Sequence, residues 1–276
     1  MNASQTSRQS GFTLIEISVV LVIIGLLVGG ILVGVDLIKA AEVRATISQV
    51  QKYGSAVNAF RLKFNAVPGD MRSTDAAAFG LFALAGGTGQ GDGNGLIEGG
   101  ASGSATPEGE TLAFWRHLSD ANLVDGSFGL TGNSLIVNAT GLVTANVTNV
   151  LQSLPATKLT PTQYFIVYAN NSTNYFQILP VAQVQTTPGY TFGATGISPI
   201  VAYNIDNKLD DGMPNTGIVQ AQAINSINGL PSYNSVSTSS TCLMTGASAT
   251  DTADTYNRIP KSGGNDGSCS LQFRFD

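Results

Sequence analysis

Apolar and polar positions fall into three regimes along the chain. From Phe12 to Val35 the run is apolar over 24 residues, broken by a single carboxylate at Glu16. About 20 predominantly apolar residues in a helix cross the hydrocarbon core of a bilayer, so this segment is long enough to span one. After Asp36 the pattern turns amphipathic, with Val43, Ile47, Val50, Gly54, Val57, Phe60 and Phe64 recurring at steps of three and four, the period of a helix with one buried face. The two regimes read as one continuous helix. It ends near Asn65, because Pro68 and Gly69 follow and a proline disfavours the helical conformation in the residue before it. From Thr13 to Phe64 such a helix is about 80 Å long at 1.5 Å per residue, a length with no use inside a soluble globular domain. The expected shape is a lollipop. Residues 12–35 project from the domain, and residues 36–64 bury their stripe under a sheet.

The third regime, residues 65–276, alternates loops with short structured segments. Residues 65–111 are loop-rich, and the Gly-rich, acidic stretch over 85–110 lacks the side chains to build a core. Leu112, Trp115 and Leu118 stand at helical spacing within Glu110 to Val124, which predicts a short helix packed on the domain. Further on, apolar runs bounded by turn residues predict an antiparallel sheet from Ser134 to Asn138, Tyr164 to Tyr168, Tyr175 to Pro180 and Ile200 to Ile205. The clearest hairpin turns between Ala169 and Asn174. Beyond Leu230 the chain is polar until Ser270 to Phe275, whose alternation suits a last strand. The predicted class is α+β: a long N-terminal α-helix packed on a C-terminal antiparallel β-sheet domain.

Only 11% of residues are charged, against about 25% in ordinary soluble domains, and Gly, Ser, Thr and Asn fill the second half. That profile reads as extracellular. With a net charge of −5 and no Lys/Arg cluster, the chain has no electrostatic footprint for a phosphate backbone, and direct nucleic-acid binding is not expected. The two cysteines, Cys242 and Cys269, have no CxxC partner and no His at metal-ligand spacing. They read as a disulfide, against two unrelated free thiols. A bridge closes a loop of 26 intervening residues and is worth about 3 kcal/mol in the chain-entropy model, given an oxidising compartment.

Glu16 carries the sharpest chemical signal. An unpaired carboxylate at the start of a membrane-length apolar run is costly and marks function. Cleavage between Gly11 and Phe12 would create an α-amino group able to pair with it, within one chain or between staggered neighbours. The alternative is a Glu16 that snorkels to the headgroups. The leader MNASQTSRQSG is short and polar, with one positive charge at Arg8, and the only plausible cleavage signal precedes the apolar run, unlike a secretory signal peptide.

The string SRQSGFTLIEISVVLVIIGLLVGGILVG resembles the class III signal sequence shared by type IV pilins and type II secretion pseudopilins. The resemblance implies a leader over residues 1–11, cleavage after Gly11 by a prepilin peptidase, N-methylation of Phe12 and an assembly role for Glu16. It implies membrane insertion of residues 12–35, an amphipathic half over 36–64 and a globular pilin-like domain over 65–276. The partners implied are other copies or other pilins in a helical filament, the inner-membrane assembly machinery and, before assembly, the membrane itself. Many members carry a helix-kinking proline in the apolar segment; this sequence has none before Pro68 and has Gly25, Gly29, Gly30 and Gly34 instead. These glycines also stand at the small-residue spacing that permits close helix packing. The segment ending FWRHLSDANLVDG looks like part of large prepilin-like proteins, and by resemblance residues 242–269 correspond to the disulfide-bounded D-region of pilins. The leading functional expectation is a major or minor pilin; the alternatives are a type II secretion pseudopilin and a tip adhesin or binding module anchored by a pilin helix.

Two acidic stretches are candidate calcium loops. Asp206, Asn207, Asp210 and Asp211 place four oxygen-bearing side chains within six residues, a grouping bridged by a hard cation or used as an Asx-rich turn that organises the backbone. A similar D-x-K-x-DDG-x-P-x-x-G string occurs in prepilin-like proteins. Asp92, Asn94 and Glu98, with Glu108 and Glu110 as distal carboxylates, form the weaker candidate, because Leu96 and Ile97 stand where an EF-hand loop has an Asx and a Gly; a plain loop is the alternative. No cofactor is required. Catalytic motifs of the HExxH, P-loop, Rossmann and serine-triad types are missing from the sequence. The one His, His117, near Trp115, has no nucleophile at motif spacing and reads as structural or exposed, so no enzymatic activity is expected.

Overall fold

The computed structural model describes residues 13–84, 91–99, 108–131, 134–135, 148–185, 189–193, 196–223, 242, 255–256 and 269–275. The chain divides into two compact units, residues 1–42 and 43–276. Helix α1, Leu14–Phe64, runs through the boundary. In the first unit its large apolar side chains, from Leu14 to Ile38, are exposed. In the second unit it buries Val43, Thr46, Tyr53, Ala56, Val57 and Phe60, the stripe expected from the amphipathic pattern. The helix ends as its sequence implies. Asn65 takes a left-handed conformation (φ 53°), with its N–H on the Arg61 carbonyl at 2.8 Å, an αL helix stop of the kind Asn tolerates.

After α1 come α2 (Ser73–Ala78), α3 (Glu110–Asp120), the short strands β1 (Leu130–Thr131) and β2 (Ser134–Leu135), and a 3-10 turn at Val150–Gln152. Strands β3 (Tyr164–Asn170), β4 (Thr173–Leu179), β5 (Val181–Gln185) and β6 (Gly189–Phe192), helix α4 (Pro199–Leu209) and strands β7 (Val219–Ala223) and β8 (Cys269–Phe275) complete the order. The main sheet has the order β3-β4-β8-β7, every pair antiparallel; β5 pairs with β6 and β1 with β2. The fold is thus a long N-terminal helix followed by an antiparallel β domain, α+β in class.

The β3–β4 hairpin has Asn170 paired with Thr173 and a two-residue turn, Asn171–Ser172, with φ of 48° and 61°. Positive φ at both central positions is the geometry whose twist matches paired strands, and Asn tolerates it. Phe165 and Phe176 point into the core with Tyr53 of α1 and Trp115 of α3; the Tyr53 ring lies 4.9 Å from Trp115 and 5.2 Å from Phe165. One sheet face also carries buried polar links: Tyr168 Oη donates to Gln272 at 2.5 Å and Gln177 Nε2 to Ser270 at 2.8 Å.

Three expectations are corrected. The run Ile200 to Ile205 is helical, within α4. Ser198 caps it, its hydroxyl accepting the Val201 N–H at 3.4 Å, and Pro199 opens the first turn, the positions these residues favour; Ala202 and Ile205 are buried on one face while Ile200 is exposed. Helix α3 stops at Asp120 rather than Val124, with Asn122 left-handed (φ 56°). The Gly-rich stretch does contribute to the core: Ile97 is fully buried, its N–H on Asn174 Oδ1 at 2.9 Å and its carbonyl taking the Ala169 N–H of β3 at 2.6 Å. Residues 136–138 of the expected strand lie outside the described residues.

Candidate functional site

Gly11 and Phe12 lie outside the described residues. The first described residues form a reciprocal cap. Thr13 donates both its backbone N–H (2.7 Å) and its hydroxyl (2.8 Å) to Glu16 Oε2, and the Glu16 N–H points back at the Thr13 hydroxyl at 3.4 Å. This is the T-x-x-E capping box, which satisfies amides at a helix start. Glu16 thus has a local partner that the sequence reading did not foresee, although the T-x-x-E spacing signals it.

Beyond the cap, α1 offers a continuous apolar surface. Leu14, Leu26 and Leu37 are 89%, 73% and 66% exposed, and the helix is long and apolar enough to cross a membrane. A Cβ added at Gly25, Gly29, Gly30 or Gly34 would meet nothing within 4 Å, so these positions leave room for close approach by another helix.

The weaker calcium candidate is reorganised by a residue the sequence reading missed. Asp70, Asp92 and Glu110 offer oxygens that all lie within 4.8 Å of one another. Asp70 accepts the N–H groups of Gly93 (2.8 Å) and Gly95 (2.6 Å); Glu110 accepts those of Gly91 (2.5 Å) and Glu98 (2.8 Å). Each of the four oxygens of the two buried acids thus holds one loop amide. Asn94 bridges Asp92 (3.2 Å) and Glu98 (3.3 Å) through its side-chain amide, so the Glu98 carboxylate meets the group through Asn94. Burial pushes the Asp70 and Glu110 carboxyls up, and the loop amides pull them only partly back. A hard cation there would share oxygens with these amides.

The second candidate, Asp206, Asp210 and Asp211, also brings its oxygens within 4.8 Å. Buried Asp206 accepts from Tyr256 Oη (2.7 Å) and the Gly212 N–H (3.2 Å), and burial raises its carboxyl to about 6. Asp210 accepts the Ile218 and Val219 N–H groups. Asp211 accepts from the Met213 N–H (2.8 Å) and the Thr216 hydroxyl (2.5 Å). Asn207, on α4, packs beside Gly212. At Gly217 (φ +74°) a Cβ would fall 1.7 Å from Asp210 Oδ2, so only glycine lets the carboxylate reach the strand amides. These bonds are those of a turn organised by Asx side chains.

His117 is fully buried. Its Nδ1 accepts the Gly69 N–H at 2.9 Å and its Nε2–H donates to the Phe82 carbonyl at 2.6 Å, so both nitrogens tie loops to α3. Burial lowers its pKa. Cys242 and Cys269 form a disulfide with Cα atoms 5.0 Å apart. It anchors residue 242 to the first residue of β8, which pairs with Ala223 and bridges Ile197.

No curated protein and no solved structure matches the chain. The family model for the prokaryotic N-terminal methylation motif matches residues 6–32. That segment holds Gly11, Phe12, the Thr13–Glu16 cap and the exposed apolar turns of α1, so the chain carries, at the head of its long helix, the class III signal sequence of type IV pilins.

Proposed function

We propose that this chain is a structural subunit, major or minor, of a type IV pilus or related filament. The peptidase cuts after Gly11 and Phe12 becomes the methylated terminus; residues 12–35 then hold the subunit in the inner membrane until assembly machinery moves it into a surface filament. The observation that carries the reading is the methylation motif standing on a helix whose large apolar side chains are exposed from Leu14 to Ile38: such a surface is stable only in lipid or against other helices. The reading gives the chain no enzymatic activity and requires no cofactor. Glu16, held by Thr13 before cleavage, becomes the partner of the new amino terminus during docking.

Mass spectrometry of sheared surface filaments tests this directly. The expected species begins at methylated Phe12 and contains the Cys242–Cys269 bridge. A Glu16→Ala chain should be cleaved normally and enter filaments poorly. Recovery of an uncleaved chain from filaments, or Glu16→Ala assembly at wild-type yield, would rule the mechanism out. Abundance in the same sample separates a major from a minor subunit.

A further inference from the structure

A groove of about 450 Å³ opens along α1 in the second unit. Ala45, Phe128, Leu151 and Pro155 give it an apolar floor, and Lys52 and Lys158 stand on its rim. Leu151 is 52% exposed. Asp125 is ion-paired with Lys52 and also feels Lys158, so one carboxylate faces two ammonium groups and the rim keeps a net positive charge. Gln49 Oε1, in the same groove, is buried with no hydrogen-bond partner among the described residues. The rim charge therefore suits an apolar body that brings one more carboxylate, and the Gln49 oxygen, an acceptor, suits a donor on the same body.

The charge order along α1 points to where that carboxylate comes from. Arg44, Lys52, Arg61 and Lys63 are the only charged residues between positions 43 and 64, whereas the acids Asp36 and Glu42, with Lys39 between them, precede them. Two copies in register would set like charges side by side. Copies displaced by ten residues, about 15 Å at 1.5 Å per residue, set Glu42 of one level with Lys52 of the other. Glu42 stands one turn from Ile38 on the same helix face. Ile38 is 60% exposed and lies beyond the charge-free run that ends at Val35, so it needs a cover outside the membrane.

We propose that this groove is a docking site for a second copy of the chain, receiving the Ile38–Glu42 face of a neighbour's α1 with the Glu42 carboxylate between Lys158 and Lys52. The groove is walled by Ala45, Ser48 and Lys52 of α1, the helix whose earlier turns carry the segment to be received. The inference rests on the filament reading. It adds a register: opposite charges at the groove select one stagger between neighbours.

Reciprocal charge reversal tests it. Lys158→Glu and Glu42→Lys, each in the full chain, should leave cleavage and cellular protein level unchanged and lower sheared filament yield by about tenfold, the effect of a like-charge contact at an interface; the double variant should recover most of the yield. In filaments carrying both Ile38→Cys and Leu151→Cys, an intermolecular crosslink should form that neither single variant gives. Full yield from both single reversals, a double variant no better than either, or a crosslink from Leu151→Cys to some other protein alone would overturn the docking site while leaving the filament reading intact. A wild-type chain that is cleaved yet never enters filaments would instead sink the filament reading itself.

Discussion

Replacing Tyr256 with Phe removes one hydrogen bond and nothing else of size, which makes it a clean probe of the Asp206 group. In the wild type the phenol donates to Asp206 Oδ2 at 2.7 Å, and the other donor on that side chain among the described residues is the Gly212 N–H at 3.2 Å. A hydrogen bond to an ionised group is worth about 1.5–3 kcal/mol and a neutral one about 0.5–1.5. Which value applies depends on pH. Asp206 is pushed up to about 6 by burial, and the Tyr256 bond is one of the contacts that hold it from rising further. A carboxyl raised in the fold contributes stability that is present below its unfolded pKa, near 4, and is lost as pH rises through the folded value. Tyr256→Phe raises the folded value again and deepens that loss. At pH 7.5, with Asp206 ionised, the variant should therefore melt about 3–12 °C below the wild type, and at pH 4.5 by about half as much, using about 2–4 °C per kcal/mol for a domain of this size. Circular-dichroism melts of the full chain in detergent, disulfide intact, at the two pH values read this out. Equal shifts at both pH values, or none at pH 7.5, would refute the assignment of Asp206 as the acceptor. Asp206→Asn combined with Tyr256→Phe should cost less than the two separate effects added together, because the residues are in contact.

Glu110 and His117 titrate with opposite signs. Burial holds the Glu110 carboxyl up to about 9, so its contribution falls as pH rises from the unfolded value near 4.5 through the folded one; Glu110→Gln should flatten the Tm profile between pH 5 and 9 and cost about 1–3 kcal/mol at pH 5, since the amide turns a donor toward a loop N–H. An unchanged slope would show that Glu110 is not the titrating group. For His117, lowered by burial, stability is present above the unfolded value near 6.5 and lost as pH falls below it. His117→Phe keeps the ring beside Phe60, whose stacked centroid is 5.9 Å away, but orphans the Gly69 N–H and the Phe82 carbonyl; it should cost about 2–4 kcal/mol at pH 8 and less at pH 5.5. A penalty that grows on acidification would contradict a buried neutral imidazole.

What could be read in advance follows from how local each signal is. The α1 boundaries were legible because an apolar run passes directly into an amphipathic stripe, together about fourteen turns for 51 residues at 3.6 per turn, and Asn65, Pro68 and Gly69 end it locally. The β3–β4 hairpin was legible because both strands and their turn lie within sixteen contiguous residues. Helix α4 was misread because an apolar run of six residues is compatible with either period, and the deciding signal, Ser198–Pro199 at a helix start, lies just outside the run. The sheet order was not legible: β8 enters between β4 and β7, a pairing set by contacts across some ninety residues of sequence.

Asp70 shows most clearly why part of a site stays hidden. Nothing around it resembles a ligand loop, and the amides it binds come more than twenty residues later. The companion signal was present but looked like low complexity. Gly91, Gly93 and Gly95 alternate with Asp92 and Asn94, and all three take positive φ, at 60°, 75° and 89°. Alternating left-handed residues turn successive amides toward the same side, which is how a backbone concavity receives an anion; here the acceptors are the buried carboxyl groups of the chain's own Asp70 and Glu110. At Gly91 a Cβ would sit 2.8 Å from the Met71 carbonyl, so a side chain there meets backbone as well as an unfavourable φ. The glycines are thus the half of the Asp70–Glu110 clamp that is visible in the sequence, and the acids are the half that only the fold brings to them.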